Sequence, residues 1–398
     1  MKKTTWHGLA AAFTLILLLL TIPFVSPAQA ARAPEDSSPP RAANPLNKPA
    51  AVGQPAAVKP AQAAQSGQAT GAGQTAPNGN VPFVKGDVFA GVGRGKINQH
   101  RPDGTLVDVL NTTTTSTEQT GMCFEPTTGD LFATDFNVGL MTRFNNIGNI
   151  RTHPWPPTPS PFSTHPESCT FDAAGNLYTG EVDGGDFIRK WTPSGTSLGS
   201  WHPLINTRGV DWIDLDPDQH TIYYTSEGFE IKRYDTRTST QLPDLNSDMG
   251  SPCYALRLRT DRDLMVACAV AVYRVSPDGT IAQTYPKPAS ETSYLFAMNL
   301  DPDKTSFWTA GYRTGNIYHF DIASGALINQ FRSPPLGGTM AGLAIYGEII
   351  AALPTETPTN TPTDTNTPTS TSTPTNTPTN TPTPTNTPTP TDTRTATP

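Results

Sequence analysis

Carboxylates and amides recur in this chain at the edges of short apolar runs: Asp135 and Asn137, His165 and Glu167, Glu181, Asp183 and Asp186, Asp211, and Glu227. Tyr312 and Arg313 stand at the same kind of position. Oxygen ligands gathered at one place suit Ca²⁺ or another hard divalent cation. Such a cation polarises a carbonyl or activates water while a neighbouring carboxylate moves the proton. The same residues also make an ordinary wet, polar loop rim, and their spacing leaves both readings open. Glu167 and Asp211 are expected on one arc with Glu181 and Glu227. Carboxylates that close repel one another and take up protons unless a cation or an arginine compensates. Arg313 is expected too far away to neutralise them all.

Other chemical motifs lack their structural context. Gly195-Thr-Ser197-Leu-Gly199 has the spacing of a nucleophile elbow, which needs a strand before it and a helix after it. Here it falls in a hairpin. Asp214-Leu-Asp216-Pro-Asp218 opens like a calcium loop, but Gln219 and Thr225 stand where that loop needs Gly and Glu. A polar turn is the expectation. The seven histidines include no His-x-x-x-His pair, so no zinc site is expected. No catalytic residue is assigned.

The elements that position these residues are legible. Tyr294 to Ser333 reads as four short alternating runs separated by Asp301-Pro-Asp-Lys304, Gly311 to Gly315 and Asp321 to Gly325, a four-stranded meander of the size of one β-propeller blade. Its last turn has counterparts at Arg101-Pro-Asp-Gly-Thr105, Asn145 to Asn149, Thr192-Pro-Ser-Gly-Thr196, Asp235 to Ser239 and Ser276-Pro-Asp-Gly-Thr280. Successive starts lie 41 to 47 residues apart. Second strands give an independent count in Gly86-DVFAG, Gly129-DLFATD, Gly175-NLYTGE, Thr221-IYYTSE, Asp263-LMVACA and Ser306-FWTAGY. Only the first unit lacks an inner strand, and Met340-AGLAIYGE348 supplies one from the other end. The expected fold is therefore all-β: a six-bladed β-propeller closed by a C-terminal inner strand, which removes open edges. Trp191, Trp212, Trp308, Tyr178 and Tyr223 fall on strands and are expected to pack between blades.

Cysteines follow from the same register. A two-residue turn at Thr260-Asp261 would pair residues whose numbers sum to 521, as Cys253 and Cys268 do, within disulfide reach. Two buried thiols are the alternative. Cys123 and Cys169 start neighbouring inner strands and can also pair.

The blade pattern of the propeller domain, residues 81–352, with Phe/Leu-Asp-x-x-Gly-Asn-Leu-Tyr and Pro-Asp/Ser-Gly-Thr turns, resembles the NHL-repeat and SMP-30/gluconolactonase-like six-bladed propellers over about Val81 to Ile350. Those groups include metal-dependent lactonases and many binding or scaffold modules. The lactonase resemblance implies Glu167, Asp211 and Asn137 as the nearest counterparts of metal ligands. WD40 and kelch signatures are missing.

Residues 1–30 carry Lys2 and Lys3, an apolar run from Leu9 to Val25, and Ala28-Gln29-Ala30, the pattern of a secretory signal. An uncleaved anchor is the alternative; cleavage leaves no membrane span in the mature chain. Residues 31–80 are Ala, Pro, Gln and Gly, composition for a disordered linker, and 353–398 form a Thr-Pro tract suited to an extended, O-glycosylated stalk. The formal charge is −7 with no basic cluster, which argues against nucleic acid. The whole reads as a secreted or cell-surface module, attached to the envelope or free, that binds a protein, glycan or small molecule. A metal-dependent lactonase or related hydrolase is the second reading.

Overall fold

The structure is a computed structural model that describes residues 80–351, apart from 158–161, 163–164, 186, 334–338 and 349. The signal, nearly all of the linker and the Thr-Pro tract lie outside the described residues. Described strands come in fours. The chain opens with β1 (Val88–Gly93), β2 (Lys96–His100) and β3 (Leu106–Asn111). The second sheet holds β4 (Met122–Phe124), β5 (Leu131–Asp135), β6 (Leu140–Phe144) and β7 (Ile150–Trp155). The third holds β8 (His165–Phe171), β9 (Leu177–Val182), β10 (Ile188–Trp191) and β11 (Ser197–Trp201). The fourth holds β12 (Ile213–Leu215), β13 (Thr221–Tyr224), β14 (Ile231–Asp235) and β15 (Thr240–Asn246). In the fifth are β16 (Cys253–Leu258), β17 (Leu264–Cys268), β18 (Ala271–Val275) and β19 (Ile281–Pro286). In the sixth are β20 (Leu295–Leu300), β21 (Ser306–Gly311), β22 (Asn316–Asp321) and β23 (Leu327–Arg332). Last comes β24 (Gly342–Ile345).

Each sheet is antiparallel, and β24 joins the first in the order β24-β1-β2-β3. Val88 pairs with Ile345 and Gly91 with Gly342. Inner strands touch in the cycle β4, β8, β12, β16, β20, β24 and back to β4. This is the expected six-bladed propeller, closed by the C-terminal strand. Turn chemistry explains the outer hairpins: Gly104, Gly148, Gly195 and Gly279 hold left-handed φ of +78° to +90°, where a side chain is strained.

Burial falls from the axis outward. Second strands β1, β9 and β21 are buried at every residue, because blades cover both faces of the sheet, while β19 and β23 on the periphery are mostly exposed. Clusters between blades hold the ring together. Phe132, Trp155, Phe171 and Trp191 fill the second-to-third interface, and Tyr178, Ile213, Leu215 and Tyr224 fill the next. All five aromatics expected to pack between blades are buried.

Both cysteine pairs are disulfides. Cys123 and Cys169 link the second and third inner strands with Cα atoms 5.8 Å apart, and Cys253 and Cys268 link β16 to β17. The register argument for the second pair needs correction. Leu258 pairs with Leu264, a sum of 522, so the turn is longer than two residues. A bulge between Cys253 and Ala255 then shifts the ladder by one and sets the cysteines opposite.

Candidate functional site

Bulges aim side chains at one mouth of the axial channel. In β8, Pro166 pairs with Glu181 and Ser168 with Gly180, leaving Glu167 unpaired. Tyr254 is the unpaired residue in β16, and Phe296 in β20. A bulge re-aims its extra residue without breaking the strand. Asp211 takes the corresponding place ahead of β12, where its backbone N–H donates to Thr225. Close backbone packing fixes the height of Glu167. A Cβ on Gly121 would lie 2.5 Å from the Glu167 carbonyl oxygen and 2.6 Å from the Ser168 Cα, so only glycine fits there.

Glu167 and Asp211 are fully buried, and they form an acid pair. Beyond the bond between the two carboxyls, no donor among the described residues reaches Glu167 Oε2 or either Asp211 carboxyl oxygen. Two carboxylates are both acceptors, so they bond to each other only when one carries a proton. Burial, first, pushes the Glu167 carboxyl up to about 8; Glu227 and Glu118 add to this and Arg208 opposes it. Asp211 is held well above the carboxylate range by burial and then by the charges of Glu167 and Glu227. Burial therefore pushes both carboxyls toward the protonated form, and a proton on either one lets it donate to the other.

The arginine beside them is Arg208. Its Nη2 and Nε reach Asp183 at 2.5 and 2.9 Å, and its Nη1 reaches Glu227 at 3.4 Å. The 205–212 loop lies over the third blade through Val210 N–H donating to Glu181 O, which carries Arg208 to both loops. Arg208 hydrogen bonding holds Asp183 below its usual range, and His165 Nδ1 adds a contact at 3.2 Å. Glu227, largely buried, is pushed up by desolvation despite Arg208. Arg208 also lies over the Phe136 ring.

Aromatic rings occupy the other half of the mouth. Tyr254 stacks on Tyr294 at 4.7 Å between centroids, and Tyr294 on Tyr312 at 4.9 Å. Phe296 packs against Tyr254 and Tyr312. Tyr312 donates to Glu118 Oε1 at 3.1 Å. Burial raises all three tyrosines, Tyr312 to about 12, and the acidic residues raise them further: Glu227 and Asp211 at Tyr254, Glu118 at Tyr312. Tyr254, Tyr294, Tyr312 and Glu118 are thus joined by contact, and the charges of Asp211 and Glu118 reach Tyr254 and Glu167.

Other residues expected at the rim are employed differently. Glu181 leaves the arc and pairs with Arg189 of its own blade at 2.6 Å, because its place in the β8–β9 ladder turns it outward from the acid pair. Asp135 is a buried knot that accepts from Thr112, Thr114, Gln119 and Thr142. Asn137 accepts from Thr117 at 2.6 Å. Arg313 is exposed and lies over the Tyr312 ring. Asp186 lies outside the described residues. Glu118, Arg208, Tyr254, Tyr294 and Phe296 were missed as site residues. Tyr254 had a signal, since Tyr254-ALRLR aligns with the strand after Asp211.

No three His, Cys, Asp or Glu among the described residues come together as potential metal ligands. Of the three residues that the lactonase resemblance implied, Glu167 and Asp211 lie together, and Asn137 accepts from Thr117. Asp216 and Asp218 are turn residues: Asp216 pairs with Arg262, and Asp218 accepts from the Thr221 N–H and hydroxyl. Ser197 begins β11, exposed on an outer strand.

A cavity of about 340 Å³ lies elsewhere, between the Glu125–Gly129 turn, the first disulfide, Asp214, Arg257 and Glu348. Its charges already have partners. Arg257 pairs with Glu348, and Asp214 accepts from Leu258 N–H and Thr170. The mouth, where two fully buried acids have no arginine or lysine bonded to them, is the stronger site.

No known family model matches the chain, and no curated protein does. Solved structures do. A chain of the crystal structure of a nidogen/laminin complex aligns with TM-score 0.53 and 14% identity, over 66% of this chain and 98% of that one. The WD40 β-propeller domain of Doa1 aligns with TM-score 0.51 and 12% identity, over 68% and 86%. At such identity the likeness carries the fold alone: a β-propeller, with the NHL or SMP-30 assignment resting on the sequence resemblance only.

Proposed function

We propose that this protein is an exported or cell-surface binding module that takes its ligand at the channel mouth. The buried acid pair and the stacked tyrosines beside it support this reading. Propellers place their variable loops and bulged residues at one end of a rigid ring, which suits recognition more than chemistry. Two disulfides and a signal-like N-terminus suit an oxidising compartment. The nidogen/laminin neighbour is itself part of a protein complex, which makes a binding role a natural use of the fold. A hydrolase of lactonase type is the second reading, and it would need an ion held by several oxygen ligands.

The test is a melting-temperature screen of the full chain against neutral sugars, organic anions, organic cations and short peptides. At least one class should raise the melting temperature, and the Tyr254→Ala/Tyr294→Ala protein should lose that response. A response unchanged by the double substitution, or no response from any class, would overturn the reading.

A further inference from the structure

We infer that Asn111 is the acceptor of an N-linked glycan on the mouth face; this rests on the reading that the chain is exported. Asn111-Thr112-Thr113 is the one Asn-x-Ser/Thr tripeptide in the 398 residues, the spacing at which secretory pathways transfer an oligosaccharide to asparagine. The five Asn-Thr dipeptides of the Thr-Pro tract offer no second acceptor, because Pro follows each of them and carries no hydroxyl. Asn206-Thr-Arg208 and Asn246-Ser-Asp248 fail at the same third position.

The fold presents this tripeptide with its reactive groups outward. Asn111 ends β3 opposite Lys96, at the end of the strand on the mouth side, and is exposed. Its Oδ1 accepts from the Thr113 N–H at 3.0 Å, an Asx turn that leaves the amide Nδ2 unbonded among the described residues. Thr112 turns the other way: it is buried, and its hydroxyl donates to Asp135 Oδ1 at 2.7 Å. Thr113 is exposed again. The middle residue therefore anchors the loop, while both residues that the transfer uses stay in water. Where transfer precedes folding, the fold must supply room for the product, and an acceptor at a buried position would block the ring.

A second observation is independent of the motif. Thr113 holds φ +67° less one degree, at +66°, in the left-handed region that a β-branched side chain occupies only at a cost. Glycine would sit there without strain, and the Thr113 hydroxyl makes no hydrogen bond among the described residues. Strain kept at a position whose hydroxyl does nothing for the fold is strain kept for another use. The chemistry is a group transfer. Asn111 Nδ2 bonds to the anomeric carbon of a lipid-pyrophosphate-linked oligosaccharide as the bond from that carbon to the phosphate oxygen breaks. The pyrophosphate leaves with the electron pair, and one amide proton passes to a base of the transferase. The loop that starts at Asn111 runs to Glu118, which accepts from Tyr312, so the glycan stands on the first-blade side of the mouth.

Two forms of the full chain expressed in insect cells test the inference, one with its own residues 1–30 and one with these replaced by the host's secretory signal. Protein from the medium and from lysed cells is digested. The peptide spanning Asn111 is then weighed before and after peptide N-glycosidase, which leaves O-linked sugars of the Thr-Pro tract in place. That peptide should carry a hexosamine-containing glycan in most secreted molecules, and the enzyme should remove it and leave aspartate. Asn111→Gln and Thr113→Gly should lose the glycan, and Thr113→Ser should keep it. Thr113→Gly should also melt no lower than wild type, since glycine accepts the left-handed φ; a clear drop would overturn the strain argument. A bare Asn111 on the chain exported by the host signal would overturn the inference and leave the export reading standing. Secretion under the host signal alone, with Asn111 modified, would overturn the export reading and keep the acceptor. A glycosidase-sensitive glycan that survives Asn111→Gln would place the sugar elsewhere and end the assignment.

Discussion

Tyr312 Oη donates to Glu118 Oε1 at 3.1 Å, joining the loop after β21 to the loop that leads into β4 across 194 residues of sequence. The bond spans the first blade, the one assembled from both ends of the propeller. It therefore seals on the loop face the same junction that β24 seals in the sheet. Tyr312→Phe removes the hydroxyl and keeps the stack. The bond is half-buried and charge-assisted, so its loss should cost about 1 kcal/mol, read from the urea midpoint at constant m-value. A loss confined to Tyr312→Ala, with Phe neutral, would mean that only stacking matters.

The Glu167 contribution to stability should fall as pH rises from about 4.5 through about 8. The Glu167 carboxyl is raised to about 8 in the folded protein, above its unfolded value of 4.5. The folded state then holds more protons than the unfolded state between those values, so stability is lost as the pH climbs through the folded pKa. His100 acts in the opposite sense: burial lowers it from 6.5 to about 4, so its contribution rises with pH and is complete above about 7. Asp214 and Glu348 are also raised, by burial. Comparison with the double variant isolates the pair. Between pH 7 and 9 the wild type should lose on the order of 1–3 kcal/mol more than Glu167→Gln/Asp211→Asn. Parallel pH profiles for the two proteins would show that the pair does not titrate in that range.

Architecture was legible because its signals are local. Pro-Asp-Gly-Thr at 101–105 and 276–280 names a turn type by backbone chemistry alone, and the orphan strand at 342–345 needed only a count of inner strands. The mouth was legible in part. Glu167 and Asp211 were found because first strands align in sequence. Glu181 was misplaced because a one-residue bulge at Glu167 decides which way the ladder neighbours face, and alternation does not show a bulge. Arg208 and Glu118 sit in irregular loops, and their partners are in other blades. No spacing within one repeat encodes a contact between two.

Ring closure predicts a contrast between two truncations. Leu343, Ala344 and Ile345 are buried against β1, and the Tyr346 N–H donates to Asp87 O at 2.9 Å. Removing residues 340–398 strips the first blade of its inner strand and exposes the edge of β1. Cooperative melting should be lost or lowered by more than about 10 °C, as several kcal/mol of burial disappears. Removing 353–398 alone, a tract that composition marks as solvated, should leave the melting temperature nearly unchanged. Equal melting of the two proteins would refute the closure argument.

The disulfides predict a graded loss. Cys123–Cys169 closes 46 residues and Cys253–Cys268 closes 15. Longer loops lose more entropy on cross-linking, by about 4 against about 3 kcal/mol in the chain-entropy picture. Cys123→Ser/Cys169→Ser should therefore destabilise by at least as much as Cys253→Ser/Cys268→Ser. It should also perturb the mouth, since Cys169 lies two residues from Glu167 on β8. Unreduced peptide mapping is the direct check, and free thiols at all four positions would end the claim.

Arg208 is the decisive charge at the mouth. It binds Asp183 and Glu227 directly and opposes the negative field on Glu167 and Asp211. Arg208→Gln keeps polar reach and removes the charge. The carboxylates it faces then titrate higher, so the cost is greater at high pH, where they must ionise, than at low pH, where they hold protons. The Arg208 side chain is 34% exposed, so solvent screening limits the expected loss to roughly 1–2 kcal/mol at pH 8, shrinking toward zero near pH 5. Asp211→Asn added to Arg208→Gln should restore part of that loss, because an amide on the floor no longer needs the arginine. Asp183→Asn added instead should restore less at the pair, since Asp183 is an exposed acid held low by Arg208. A double-mutant cycle in urea at pH 5 and pH 8 measures both couplings. If the Arg208–Asp211 coupling were absent at pH 8, or equal at the two pH values, Arg208 would act only as a clamp on Asp183, and the electrostatic unity of the mouth would fail.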